Sequence, residues 1–170
     1  GIDSLAAFEG DAARLKDFRY LTVLDADTSL QLNTVTKLVG CALHPLNRPQ
    51  TDARSPVSQG YGVFAPRVGV DLDSARRTPF ARIFCGVGGV TAYDNRSSDF
   101  YQDLFGEAIF CGKGLIDVAA FCTFADRSPC EQILSHDILE GSLLRTAYVS
   151  DAEVTDGFPR SAASWLSRLH

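Results

Sequence analysis

The stretch Tyr20-Leu-Thr-Val-Leu24, running straight into Asp25-Ala-Asp27, decides the fold. Five apolar or weakly polar residues in a row read as a buried β-strand. The two aspartates then stand at its carboxyl end, where open α/β sheets bind their ligands. Two carboxylates one residue apart can reach one hard cation from the same loop. Asp is also common at strand ends for local reasons, so the start of an ordinary loop is the second reading of the pair.

Outward from this strand, apolar spacing predicts a helix over Leu30–Leu43, carrying Leu32, Val35, Leu38, Val39 and Ala42 and ended by Pro45. A helix is expected over Ser4–Asp17 before the strand. The polar stretch Pro45–Ser58 reads as an exposed loop, as does the stretch around Asp94–Ser98. Tyr61–Val68, Ala108–Cys111 and Tyr148–Val154 read as strands. Ile116–Phe124, Ser135–Thr146 and Ser161–Leu169 read as helices, with Ser135 a suitable N-cap for its helix. Strands and helices alternate, so the expected class is α/β, one domain spanning residues 1–170. The last helix runs to the end of the sequence with no stop signal, which leads us to expect a piece of a larger domain.

Composition narrows the function classes. The chain has 170 residues, of which 45% are hydrophobic and 22% charged, and a net charge of −5. This balance argues against a general nucleic-acid binder, which needs clustered Lys and Arg. The densest basic group, Arg76, Arg77 and Arg82, reads as a solvated face. The five cysteines form no C-x-x-C pair and have no His at metal spacing, so they read as small buried thiols in a reducing compartment. No apolar run reaches the roughly 18 residues of a membrane span, so the chain as written is expected to be soluble.

Several constellations could carry chemistry. A divalent cation at Asp25 and Asp27 could hold a diphosphate, which makes sugar-nucleotide chemistry the first hypothesis. A second D-x-D, Asp71-Leu-Asp73, precedes Ser74-Ala-Arg-Arg77 and reads as a helix cap or a partner for those arginines. In Tyr101-Gln-Asp-Leu-Phe-Gly-Glu107, the residues Tyr101, Gln102, Asp103 and Glu107 suit a sugar, with polar groups for hydroxyls and an aromatic face for the ring. The same run reads equally as an amphipathic turn with Leu104 and Phe105 in the core. Gly112-Lys-Gly114 is either a tight turn or a place where Lys113 meets a phosphate. It lacks P-loop spacing. Ser135-His136-Asp137 with Glu140 opens a helix, where the dipole keeps an aspartate ionised and fit to accept a proton. Plain capping is the alternative.

Together these segments resemble a known family. Leu24-Asp-Ala-Asp-Thr28, His44-Pro-Leu-Asn-Arg-Pro49, Gly60-Tyr-Gly62, Pro66-Arg-Val68, Tyr101–Glu107, Gly112–Gly114, Leu134-Ser-His-Asp137 and Leu139-Glu-Gly141 look, in order, like the glycosyltransferase domain of cyclic β-1,2-glucan synthases. The resemblance implies a GT-A-like (Rossmann-like) mixed sheet flanked by helices. It implies UDP-glucose as donor and a β-1,2-glucan as acceptor. It also implies Mg²⁺ or Mn²⁺ at Asp25 and Asp27, Asp137 as general base, and inversion at the sugar. His136, Glu140 and Arg168 join the substrate-binding residues on the same ground, Arg168 opening a Q/R-x-x-R-W motif of which Arg168-Leu169-His170 matches the first three positions. The parent protein is expected at the cytoplasmic face of the bacterial inner membrane, with transmembrane and phosphorylase-like domains elsewhere.

Two features depart from the family pattern. Gly86–Tyr93 differs from the family's stretch before Tyr101, and the strands that would hold uracil are not legible before residue 20. The isolated chain is therefore expected to be inactive. Two other readings compete. In one, Asp25-Ala-Asp-Thr28 is the loop of a haloacid-dehalogenase-like phosphatase. In the other, the chain is a non-catalytic module that binds sugar or nucleotide.

Overall fold

The computed structural model describes residues 17–52, 55–85, 99–127 and 136–168. The helix expected over Ser4–Asp17 lies outside them except for Asp17. The loop around Asp94–Ser98, the Gly86–Tyr93 stretch and the Ser135 cap lie outside them altogether.

Five strands form one mixed sheet, flanked by helices on both faces, so the α/β class expected from the sequence is what the chain adopts. The strands are β1 (Tyr20–Val23), β2 (Thr28–Leu30), β3 (Val63–Val70), β4 (Gly114–Asp117) and β5 (Thr146–Asp156), in spatial order β1-β4-β3-β5-β2. β4 is antiparallel to both of its neighbours, β1 and β3, and β5 is parallel to β3. It follows that β1, β3 and β5 all point the same way. Their carboxyl ends share one rim of the sheet.

Alternation along the strands sorts the core into two layers. Val63 and Ala65 of β3 and Ile116 of β4 face α5 (Val118–Arg127) and α6 (His136–Leu144), packing with Ala120, Phe124 and Leu144. Phe64 and Leu115 point to the opposite face and meet α1 (Thr34–Leu43) through Leu38 and Ala42. Thr34, Leu38 and Ala42 are the buried residues of α1, a stripe at four-residue spacing.

Pro66 sits inside the central strand, where it cannot donate a ladder hydrogen bond. The register with β5 slips at that point, from Pro66 opposite Val149 to Arg67 opposite Glu153. A bulge is where a sheet tolerates proline.

Several expectations need correction, beginning with Ala108–Cys111, which makes a single bridge from Ala108 to Thr146 and no strand. β1 is an edge strand among the described residues and only half-buried, with Leu21 55% exposed. The helix after the aspartates begins at Thr34, not Leu30, because Thr28–Leu30 pairs with β5 as β2. Ile116 and Asp117 belong to β4, not to a helix, and Asp117 caps α5 by accepting from the Ala120 N–H. The cysteines are not uniformly buried: Cys41 and Cys85 are half-buried, Cys111 and Cys122 exposed. Asp71 does cap a helix, α2 (Leu72–Arg76), by accepting from the backbone of Asp73 and Ser74, and Thr78 caps the next, α3 (Pro79–Phe84), by accepting from the Ala81 N–H. No helix among the described residues is long and apolar enough to cross a membrane.

Candidate functional site

Three segments meet at the rim formed by the carboxyl ends of β1 and β5. The first is the turn after β1, closed by a hydrogen bond from the Thr28 N–H to the Asp25 carbonyl at 3.1 Å. It presents the Asp25 and Asp27 side chains, both exposed. The second is Gly112-Lys-Gly114, which leads into β4 rather than into a helix as the sequence suggested. The third is the end of β5, Asp156, followed by Gly157.

Lys113 ties these segments together. Its Nζ lies 2.9 Å from Asp25 Oδ2 and 2.8 Å from Asp156 Oδ2. The other Asp156 oxygen accepts from Thr28 Oγ1 at 2.6 Å. Burial by itself favours the neutral amine, yet the hydrogen bonds and charges of Asp156 and Asp25 outweigh it and raise the Lys113 pKa above its ordinary value. The Asp27 carboxylate stands beside Gly157, 4.0 Å from where a Cβ on that glycine would lie.

Asp137 approaches the same loop at Gly112. Gly112 has φ +79°, and a Cβ placed there would come within 2.9 Å of Asp137 Oδ2. Only glycine provides both that backbone conformation and that close approach. Asp137 and Glu140 also line a cavity of about 340 Å³ whose walls include Val23, Phe110 and Phe121. Glu140 is pushed up from the usual carboxylate range, first by desolvation and then by the neighbouring Asp137, with His136 acting in the opposite direction. His136 is exposed at the start of α6.

The rim therefore collects Asp25, Asp27, Gly112, Lys113, Gly114 and Asp137, with Glu140 one turn beyond. It does not collect the segment Tyr101–Glu107. That segment forms α4 (Phe100–Phe105) and the turn after it, packed against the opposite, amino-terminal end of β5. Gln102 bonds the Tyr148 backbone with both of its amide atoms, and Ala108 bridges Thr146. Gln102 lines a separate groove of about 330 Å³ with Asn47, Tyr61 and Asp151. The Tyr101 ring meets that of Phe105 at a 46° tilt, Asp103 is exposed and Glu107 half-buried. Leu104 and Phe105 are exposed rather than in the core. Arg168 ends α7 (Ala162–Arg168).

Sequence reasoning missed Asp156 and Thr28. A partial signal was present: Thr155-Asp-Gly157 ends a strand with a carboxylate, as Asp25 does after β1.

A cation of the kind expected at Asp25 and Asp27 fits the donor chemistry, since two exposed carboxylates on one turn offer hard oxygens. Among the described residues no three His, Cys, Asp or Glu side chains converge as a ligand cluster. Such a pair suits magnesium, which is commonly held by one or two carboxylates plus substrate phosphates.

No protein-family model matches the chain. Over 155 residues, 89% of its length, it is 42% identical to the cyclic beta-(1,2)-glucan synthase NdvB of Rhizobium meliloti (strain 1021), and it spans 6% of that protein's length. The chain is thus related to a short segment of a glucan synthase.

Proposed function

We propose that the chain is the donor-handling core of a glucosyltransferase domain, transferring glucose from UDP-glucose to a β-1,2-glucan with inversion. The observation that carries this reading is the rim itself. A cationic Lys113 next to Gly112 contacts the D-x-D turn, and a carboxylate able to accept a proton reaches the same glycine. The 42% identity to a glucan synthase segment supports the reaction class.

Asp25 and Asp27 would hold Mg²⁺ or Mn²⁺, which supplies charge stabilisation for the departing diphosphate. Lys113 adds a fixed ammonium to the same task, and the glycines on either side of it let the phosphates come close to the backbone. Asp137 accepts the proton of the attacking acceptor hydroxyl. One in-line displacement, with base and leaving group on opposite faces of the sugar, turns an α-linked donor into a β-glucoside. His136 and Glu140, on the same helix turn as Asp137, border the acceptor side.

Calorimetry of the chain with UDP, with and without Mn²⁺, tests the donor half. Metal-dependent UDP binding, lost in Asp27→Ala, is the expected result, and no binding under either condition overturns it. In the longer protein, Asp137→Asn is expected to abolish glucan transfer while UDP binding persists. A phosphatase reading, with Asp25 as nucleophile and Lys113 as its partner, draws on the same 2.9 Å contact. Phosphate release from a phosphomonoester, lost in Asp25→Asn, would favour it instead.

A further inference from the structure

The two acceptors of Lys113 differ in kind. The side chain of Asp156 is 15% exposed and is held at both oxygens, by Thr28 and by the ammonium. That of Asp25 is 59% exposed and sits on a turn. An ion pair open to water contributes little, because solvent and salt screen it. A shielded pair is costly to break, because the remaining charge is left unpaired. Lys113 itself is only 12% exposed, so its ammonium has little room to leave Asp156.

Charge balance points the same way. The carboxylates of Asp25 and Asp156 against one ammonium leave this cluster net negative. A diphosphate arriving alone competes with Asp25 for Lys113 and is repelled by the surplus. A divalent cation removes both obstacles at once.

We infer that Asp156 is the fixed seat of Lys113 and Asp25 its exchangeable partner, so that an incoming diphosphate takes Asp25's place on the ammonium and releases Asp25 toward the accompanying cation. Asp156, with Thr28 behind it, is then a positioning residue for Lys113. The pair Lys113–Asp25 is a latch that couples diphosphate binding to cation binding, each strengthening the other. The inference rests on the donor-binding reading above and adds an order of events to it.

The test is calorimetry of the chain with inorganic pyrophosphate in EDTA, then with Mg²⁺. Removing the competitor is expected to tighten binding. Asp25→Asn should bind pyrophosphate in EDTA roughly two- to fivefold more tightly than wild type, the scale of an exposed ion pair. The same variant should gain much less from Mg²⁺ than wild type does. Lys113→Ala should lose the metal-free binding. Equal or weaker metal-free binding by Asp25→Asn overturns the inference, and so does a full Mg²⁺ response in that variant.

Thermal melting without any ligand gives a second, independent check. Asp156→Asn should melt roughly 5 °C or more below wild type, whereas Asp25→Asn should melt within about 2 °C of it. The reverse order overturns the assignment of the fixed seat. Failure of the wild-type chain to bind UDP with metal would sink the donor reading itself. Normal UDP binding alongside an unimproved Asp25→Asn sinks the latch alone.

Discussion

Asp25, Asp27 and Lys113 carry charge wherever they stand, and the strand before the aspartates placed them at a strand end. Asp156 was legible only as a carboxylate ending a strand; its contact with Lys113, 43 positions away, is encoded by no local pattern. Glu140 was singled out with Asp137 from the sequence, but its setting on the wall of an apolar cavity appears only in three dimensions. The raised pKa of Glu140 has a sign that can be checked. The folded chain holds this proton more tightly than the unfolded chain does. The stabilising contribution is therefore complete below the ordinary glutamate value of about 4.3 and is lost as pH rises through the raised value. At neutral pH the charged carboxylate opposes folding, modestly because water still reaches it. Glu140→Gln is expected to raise the urea midpoint at pH 7 and to leave it unchanged near pH 4. A gain of equal size at both values would show that charge is not the cause.

At the scale of elements, strands with long apolar runs were legible and short ones were not. β2 has three residues, and its identity as a strand comes from pairing with β5, so the helical spacing that follows it absorbed it. β4 merged with α5 because Leu115-Ile116 and Val118-Ala-Ala-Phe121 form one apolar stretch, broken only by Asp117. Where elements join, one residue does work that no periodicity reveals. Arg145 links α6 to β5 in a left-handed conformation, φ 55°. Its guanidinium donates to the Gly60 carbonyl at 3.2 Å and to the Gly106 carbonyl at 3.3 Å, and Tyr61 donates to the same Gly106 oxygen. Two loops distant in sequence are pinned to the start of β5. Arg145→Ala removes both bonds and keeps the strained φ, at an expected cost of about 1–3 kcal/mol. Arg145→Gly removes the bonds but relieves the backbone, so it should be the milder change by roughly 1 kcal/mol. Equilibrium denaturation of the two variants checks the order, and a milder Arg145→Ala would show that the left-handed backbone carries no strain.

For the whole molecule, the alternation of strands and helices announced an α/β class, but not the order β1-β4-β3-β5-β2, which depends on pairings between distant segments. That order sets Phe64 at the centre of the fold. Its backbone pairs with Leu115 of β4 on one side and Ala147 of β5 on the other. Its side chain is 1% exposed, packs under α1 and meets Tyr61 edge to face at 6.3 Å. If the layered arrangement is what stabilises the chain, truncating this ring must weaken α1 and the three central strands together. Phe64→Ala is expected to cost about 3–5 kcal/mol, a large share of the roughly 5–15 kcal/mol that holds a domain folded. Leu21 offers the contrast: it is equally apolar, but 55% exposed on the edge strand. Leu21→Ala should cost under about 1 kcal/mol. Urea titration of the two variants reads both costs on one scale. The ranking matters more than either value, because a Leu21→Ala loss as large as that of Phe64→Ala would place β1 inside the core and the sheet order would have to be redrawn.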